Sequence, residues 1–165
     1  MTTDNDLQHD LSLALHMITE TNQSIRFADT KAGALAGIQA LMVTVLATRH
    51  VAGQGLAVQL LHAASLLGVL VSALLLAVGQ APRLSERKTY ANRVSFPALT
   101  RMQAKELRQV PPLNRRHEDA WRQAASLALI AVTKFRWLTR AAASTAVTLT
   151  SVLAWLAWVT WSSAG

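Results

Sequence analysis

Charged residues vanish from three long stretches of the chain. None lies between Lys31 and Arg49, none between Arg49 and Arg83, and none after Arg140, which leaves charge-free blocks of 17, 33 and 25 residues. A helix on the surface of a soluble domain shows a polar face every three to four residues, whereas one immersed in hydrocarbon is apolar all round. At a rise of about 1.5 Å per residue, a bilayer core of about 30 Å takes roughly 17 to 25 apolar residues. The pattern predicts an all-α membrane protein with three transmembrane helices, over residues 32–48, 56–80 and 141–161. The turn between the first two, with Gly53 and Gly55, is too short to hold a domain, so these two form a helical hairpin. Pro82 cannot donate to a continuing helix and ends the second.

Two spans are expected to extend beyond the membrane. Leu7, Leu11, Leu15, Ile18 and Ile25 share one stripe, with Asn22 completing a 4, 3, 4, 3 spacing from Leu11, and no Pro or Gly interrupts before Gly33. Residues 7–31 are therefore read as a cytoplasmic helix that runs on through Thr48, with Asn22 as a buried, register-setting polar group. Residues 81–140 form a basic cytoplasmic segment of linker and helices. Within it, Pro97, Pro111 and Pro112 punctuate, and Asn114 is the expected cap of a helix on which Trp121, Ala124, Ala128, Ala131, Phe135 and Leu138 recur at helical spacing. That helix meets no breaker before the third span, so a two-helix cytoplasmic stalk is expected. The run 124–132 is apolar on nearly every side and calls for further partners, which predicts a homo-oligomer.

Small residues mark where helices approach. Gly33 and Gly37, with Ala36 and Ala40, make one such face, and Ala64, Gly68 and Ser72 another. On the third span Ala141, Ser144, Thr148 and Ser151 form a hydroxyl-bearing stripe, read as bonding back to the backbone or across helices, with a pore lining as the alternative. Trp155, Trp158 and Trp161 crowd its outer end and Trp137 its inner one, as interface anchors. Gln39, Gln59 and His62 are the strongly polar residues in the spans, and His62 is read as interfacial; without an intramembrane carboxylate, proton-coupled transport is disfavoured.

Charge sets the threading. Residues 1–31 carry two basic residues against five acids, whereas residues 83–140 carry thirteen Lys/Arg against four. Because basic loops resist translocation, the N-terminus and the 83–140 segment are expected in the cytoplasm of a bacterial cell and the C-terminus in the periplasm. Asp4, Asp6 and Asp10 do not fit a basic leader, so insertion is expected to use the internal spans. A pI near 11.1 raises nucleic-acid binding, but no recognition module accompanies the charge, and a basic segment beside membrane spans serves topology and anionic lipid. With no cysteine there is no disulfide, thiolate metal site or Cys nucleophile. The five histidines have no metal-ligand spacing, and no phosphate loop, nucleophile elbow or paired-carboxylate cleft is present, so the chain is not expected to be an enzyme or to hold a metal.

The run Ile25-Arg26-Phe27-Ala28-Asp29-Thr30-Lys31-Ala32-Gly33, where a cytoplasmic helix enters the first span, resembles the signature of the Pycsar transmembrane effector family. These are small bacterial membrane proteins encoded beside a pyrimidine nucleotide cyclase. Pro82-Arg83, Asn92 and Phe96, then Trp121, Gln123, Leu127, Ala128 and Lys134 follow that family's layout, so the resemblance covers about residues 7–160. It implies antiphage defence: infection triggers the cyclase to make cyclic CMP or cyclic UMP, which activates the membrane protein to impair the inner membrane and kill the cell in an abortive infection. The nucleotide is then an activating ligand, with no resident cofactor. No β-roll with a Gly-rich, Arg-bearing phosphate cassette is present, so the nucleotide must bind the helices or the linker. Asp29 could accept from the ribose or base while Arg26 or Lys31 meets the phosphate, with Arg83, Asn92 and Arg93 closing from the linker. Alternatively, Asp29 and Lys31 are an interfacial pair that ends the span. The rival class is a ligand-independent holin-like pore former or an oligomeric membrane scaffold.

Overall fold

The computed structural model describes residues 4–48, 55–81 and 111–162, and these hold three helices and no strand. Helix α1 spans Asp4–Thr48, α2 spans Leu56–Gln80 and α3 spans Leu113–Ser162. Each contains a stretch long and apolar enough to cross a membrane. At 45 and 50 residues, α1 and α3 are about twice the length a bilayer needs. They contribute to two compact units, the first taking α1 up to Arg26 and α3 up to Val132, the second taking α1 from Phe27, all of α2, and α3 from Thr133.

Asp4 and Asp6 lie in the first turn of α1, where they meet the positive end of the helix dipole. Helix α3 starts differently from expectation. The Pro112 carbonyl accepts from the N–H groups of Arg115 and Arg116 at 3.1 and 3.2 Å, so Pro112 takes the cap position. Asn114 is already helical, its Oδ1 accepting from the N–H of Arg115 at 2.8 Å.

In the first unit the inward residues of α1 are Leu7, Leu11, Ala14, Ile18, Thr21 and Ile25, and those of α3 are Leu113, His117, Ala120, Ala124, Leu127 and Ala131. Both follow an alternating spacing of four and three, the period of coiled-coil packing. Leu11, Ala14 and Ala120 are buried together, with Ile18, Leu113 and Trp121 against them. The expected seam is thus corrected by one position at several steps: Ala14 rather than Leu15, Thr21 rather than Asn22, and Leu127 rather than Ala128, while Ala120 joins Trp121 at the contact. Asn22 is exposed and sets no register. Alanines at the contact let the two helices lie close, and the larger Leu13, Leu15 and Met17 are left at its margin, each about half exposed.

The same spacing recurs in the second unit, through Ala28, Ala32, Leu35, Gln39, Met42 and Leu46 on α1 and through Lys134, Leu138, Ala141, Thr145, Thr148, Val152, Trp155 and Val159 on α3. Here α1 and α3 run parallel, since Asp29 meets Lys134 and Gln39 meets Thr145, in ascending order along both. Helix α2 runs against them: its Ser65 meets Ser151, its Gly68 faces Thr148 and its Gly79 faces Trp137. One core joins Met42, Leu46, Val58, Val69, Val152, Trp155 and Val159, and a second joins Ala32, Leu76 and Ala141. Leu41, Leu56, Leu60, Leu67, Leu70, Leu74, Val147 and Leu153 are exposed all around the unit, an outward apolar surface that suits lipid and not water.

Candidate functional site

Where α1 enters the second unit, Asp29 forms an ion pair with Lys134 of α3. The lysine is the more enclosed partner, its side chain 17% exposed against 46% for the carboxylate. The partly enclosed ammonium has an anion beside it in Asp29, which meets Lys134 and not Lys31. Lys31 instead lies over the Phe27 ring one turn earlier, its Nζ 4.4 Å from the ring centroid, a cation–π contact. Asp29 and Lys31 thus make separate contacts, one with Lys134 and the other with Phe27. Arg26 falls in the first unit and is exposed, while Arg83, Asn92 and Arg93 lie outside the described residues.

Beside Lys134, a shallow pocket is lined by Ala28, Leu76, Gly79, Gln80 and Leu138, with a cavity volume of about 10 Å³. That holds roughly one water, against several hundred Å³ for a typical small-molecule site. Lys134 thus stands at the edge of an apolar contact, beside a space that holds no more than a water.

A second polar cluster sits in the first unit, where sequence reading found none. Asp10 Oδ2 accepts from His117 Nε2 at 2.5 Å and from the indole N–H of Trp121 at 3.2 Å. The hydrogen bond from His117 is the main reason that the Asp10 carboxyl is held below its ordinary value, with Trp121 and the nearby His9 adding to it against partial desolvation. The visible signal is the i, i+4 pair His117 and Trp121 on one face of α3, but the acceptor becomes apparent only once the parallel register places Asp10 opposite.

The packing residues sort into two kinds. Gly68 is at a close crossing, since a Cβ there would come within 2.7 Å of Thr148 Oγ1, and Ser72 is fully buried with its hydroxyl donating to the Val69 carbonyl at 3.0 Å. Ala64 is exposed and Ser65 takes the inward place. Gly33 and Gly37 face open space among the described residues, with nothing of those within 4 Å of an added Cβ. In the hydroxyl stripe of α3, Thr148 bonds back to the Ser144 carbonyl at 2.8 Å and Ser151 bonds across to Ser65 at 3.1 Å, both modes expected of hydroxyls in membrane helices. His62 is half-buried between helices, its Nε2 3.1 Å from the Leu46 carbonyl oxygen and its ring 5.0 Å from that of Trp155. Trp155 corrects an expectation: it is fully buried in the core and does not anchor at an interface, whereas Trp158 and Trp161 are largely exposed. Its i−3 and i+4 neighbours Val152 and Val159 are seam residues too, which is why it faces inward.

Among the described residues no three His, Cys, Asp or Glu side chains gather as a metal site would require. Searches of curated proteins and of solved structures return no significant match. A scan against family profiles matches residues 13–161, nearly the whole chain and all three helices, to the Pycsar effector protein domain. The long parallel pair α1 and α3, the antiparallel α2 and the Asp29–Lys134 junction all lie within that match, and the chain belongs to the Pycsar effector protein domain family.

Proposed function

We propose that the chain is a non-enzymatic antiphage effector that senses cyclic CMP or cyclic UMP from a neighbouring pyrimidine cyclase and responds by impairing the bacterial inner membrane, which kills the infected cell. The observation that carries this reading is the family match over residues 13–161 on a chain whose three helices are each fit to cross a bilayer. The N-terminus and the basic 83–140 segment lie in the cytoplasm, where a cyclase product is made, and the C-terminus is periplasmic.

The nucleotide brings one phosphate charge, a ribose hydroxyl and a pyrimidine edge. Lys31 stands at the start of the first span and Lys134 is paired with Asp29 beside it, and a phosphate competes with Asp29 for Lys134 while Asp29, once released, is free to accept from the ribose or base. Arg26, Arg83, Asn92 and Arg93 are further candidate contacts. Binding moves the helices only through a difference in affinity between two packings, and exchange of an interhelical ion pair supplies one. The cavity beside Lys134 is too small for a nucleotide within one chain, which favours a site completed on assembly. The Gly33 and Gly37 face, open among the described residues, and the exposed Leu129, Ile130 and Val132 are where copies of the chain meet in a homo-oligomer.

The test uses the full chain in vesicles holding a potassium diffusion potential, with cyclic CMP, cyclic UMP, cyclic AMP or no ligand. The potential collapses with a cyclic pyrimidine nucleotide and persists in the other two arms. Losing a charge-assisted contact costs about 1.5–3 kcal/mol, so Lys134→Gln raises the nucleotide concentration required roughly tenfold or more. Equal collapse in all four arms removes the ligand-gated reading and leaves a holin-like one.

A further inference from the structure

We propose that the second unit carries, within a single chain, a closed path for water and small monovalent cations along the contact of α3 with α1 and α2, stoppered by Trp155. The proposal rests on the membrane-impairing reading for its biological use, but not for its chemistry. Gln39, Ser65, Ser72, Thr145 and Thr148 are the buried polar side chains among the described residues, and all five lie in the apolar-surfaced second unit. Such groups hold membrane helices together by bonding to one another or back to the backbone, and those same groups can bind water when the contact loosens.

Four of these groups, with Ser151, follow one another up α3, first against α1 and then against α2. Thr145, Thr148 and Ser151 succeed one another on α3 at three-residue steps and climb about 9 Å. Gln39 Nε2 donates to Thr145 Oγ1 at 3.0 Å, Gly68 lies against Thr148, and Ser65 meets Ser151 at 3.1 Å. One turn beyond Ser151 stands Trp155, fully buried, with the His62 ring beside it. Its indole Nε1–H is buried and meets no protein acceptor. A buried donor without an acceptor is penalised, and Trp is normally placed where that group is met. Phe would fill the same core without the penalty, so an N–H kept at the end of a row of hydroxyls points to water as its partner.

In the closed state three of the hydroxyls are met by a local carbonyl: Ser65 donates to Leu61 at 2.9 Å, Ser72 to Val69 and Thr148 to Ser144. Water can replace those carbonyls at little cost. Apolar constrictions hold the path shut by dewetting, the Trp155, Leu46, Val58 and Val159 core at one end and Ala32, Leu76 and Ala141 at the other. The lining offers Ser, Thr and Gln oxygens and no fixed charge, which suits a small monovalent cation moving with its water.

The experiment opens the path without any nucleotide. Vesicles loaded with potassium and calcein carry the full chain with one of two substitutions. Trp155→Ala removes the stopper. Gly68→Ala wedges α2 from α3, since its Cβ would press on Thr148 Oγ1 and Cγ2 at 2.7 and 3.1 Å. Because the chain has no cysteine, Ser151→Cys in the seam and Val147→Cys on the outer surface report water alone when treated with a charged thiol reagent. Both openings raise potassium efflux at least tenfold over the unsubstituted chain, calcein stays inside, and Ser151→Cys becomes modified while Val147→Cys does not. Trp155→Phe remains tight, and Thr148→Ala restores tightness to Gly68→Ala. Circular dichroism verifies folding; should Trp155→Ala lose its helix, Gly68→Ala and its rescue decide alone. Folded openings that stay tight, potassium flow with Ser151→Cys unmodified, or calcein escaping with potassium would each overturn the path, the last by placing the leak between copies. Failure of cyclic nucleotides on the unsubstituted chain touches only the sensing reading.

Discussion

Asp10, His117 and Trp121 show how three side chains from two helices fix a register. A carboxylate with two donors is worth more to the folded state than to the unfolded chain, and Asp10 is accordingly held below its ordinary value of 3.8, chiefly by the His117 hydrogen bond. The folded value being the lower one, the stabilisation is complete above the unfolded value and is lost as pH falls through the folded value. Asp10→Asn keeps a carbonyl acceptor but removes the charge. The unsubstituted chain in detergent should therefore melt at progressively lower temperature below about pH 4, whereas the loss should be smaller in Asp10→Asn. Equal acid sensitivity in the two proteins would show that the cluster does not couple charge to stability. Asp29 and Lys134 make the corresponding junction in the second unit, joining the same two helices by an ion pair.

At the scale of the element, α1 and α3 are held by alanine as much as by leucine. Ala14 is fully buried and Leu15 is 46% exposed, though hydropathy alone ranks them the other way. A leucine forced into the Ala14 contact overpacks it, at about 1–3 kcal/mol, whereas trimming the half-exposed Leu15 loses only part of a buried leucine's worth. Ala14→Leu should thus lower the unfolding midpoint more than Leu15→Ala, and the reverse order would show that the contact is looser than described. The same pair of residues explains what the chain discloses in advance. Three helices and their apolar stretches are legible because charge exclusion is a property of each segment alone, and Leu11, Ile18 and Ile25 are rightly placed because two candidate registers share them. Ala14 and Thr21 are not, because a close parallel contact buries small residues and displaces large ones, a preference set by the partner helix. Lys31 is conspicuous in the sequence because it bounds an apolar run, and Asp29 because it stands two residues before it, but the partner of Asp29, Lys134, depends on the register of a helix more than a hundred residues on. Trp155 resembles its neighbours Trp158 and Trp161 in composition and differs from them only in facing the seam.

Over the whole molecule, the parallel course of α1 and α3 in the second unit and the charge distribution bear on one question, which side each end occupies. Since Asp29 pairs with Lys134, the residues leading into the first and third spans share one face of any bilayer the unit crosses, and α2 returns the chain between them. Three crossings leave the two chain ends on opposite faces. Charge favours one of the two threadings, which keeps fifteen of the sixteen Lys and Arg in the cytoplasm where the other carries those fifteen across. A periplasm-active reporter fused after Gly165 should therefore be active and one inserted near Arg101 inactive, with a cytoplasm-active reporter giving the converse. The bias should also be reversible by charge in principle, yet a few substitutions among the thirteen basic residues of 83–140 should not invert it, because the surplus over the single Arg49 of the opposite loop is so large. Activity of the periplasmic reporter at Arg101 would reverse the threading and, with it, place Lys31 and Lys134 where no cytoplasmic nucleotide reaches them. A cytoplasmic signal at Gly165 together with one at Arg101 would instead mean that α3 does not cross, which removes the three-span arrangement on which both the sensing and the conduction readings depend.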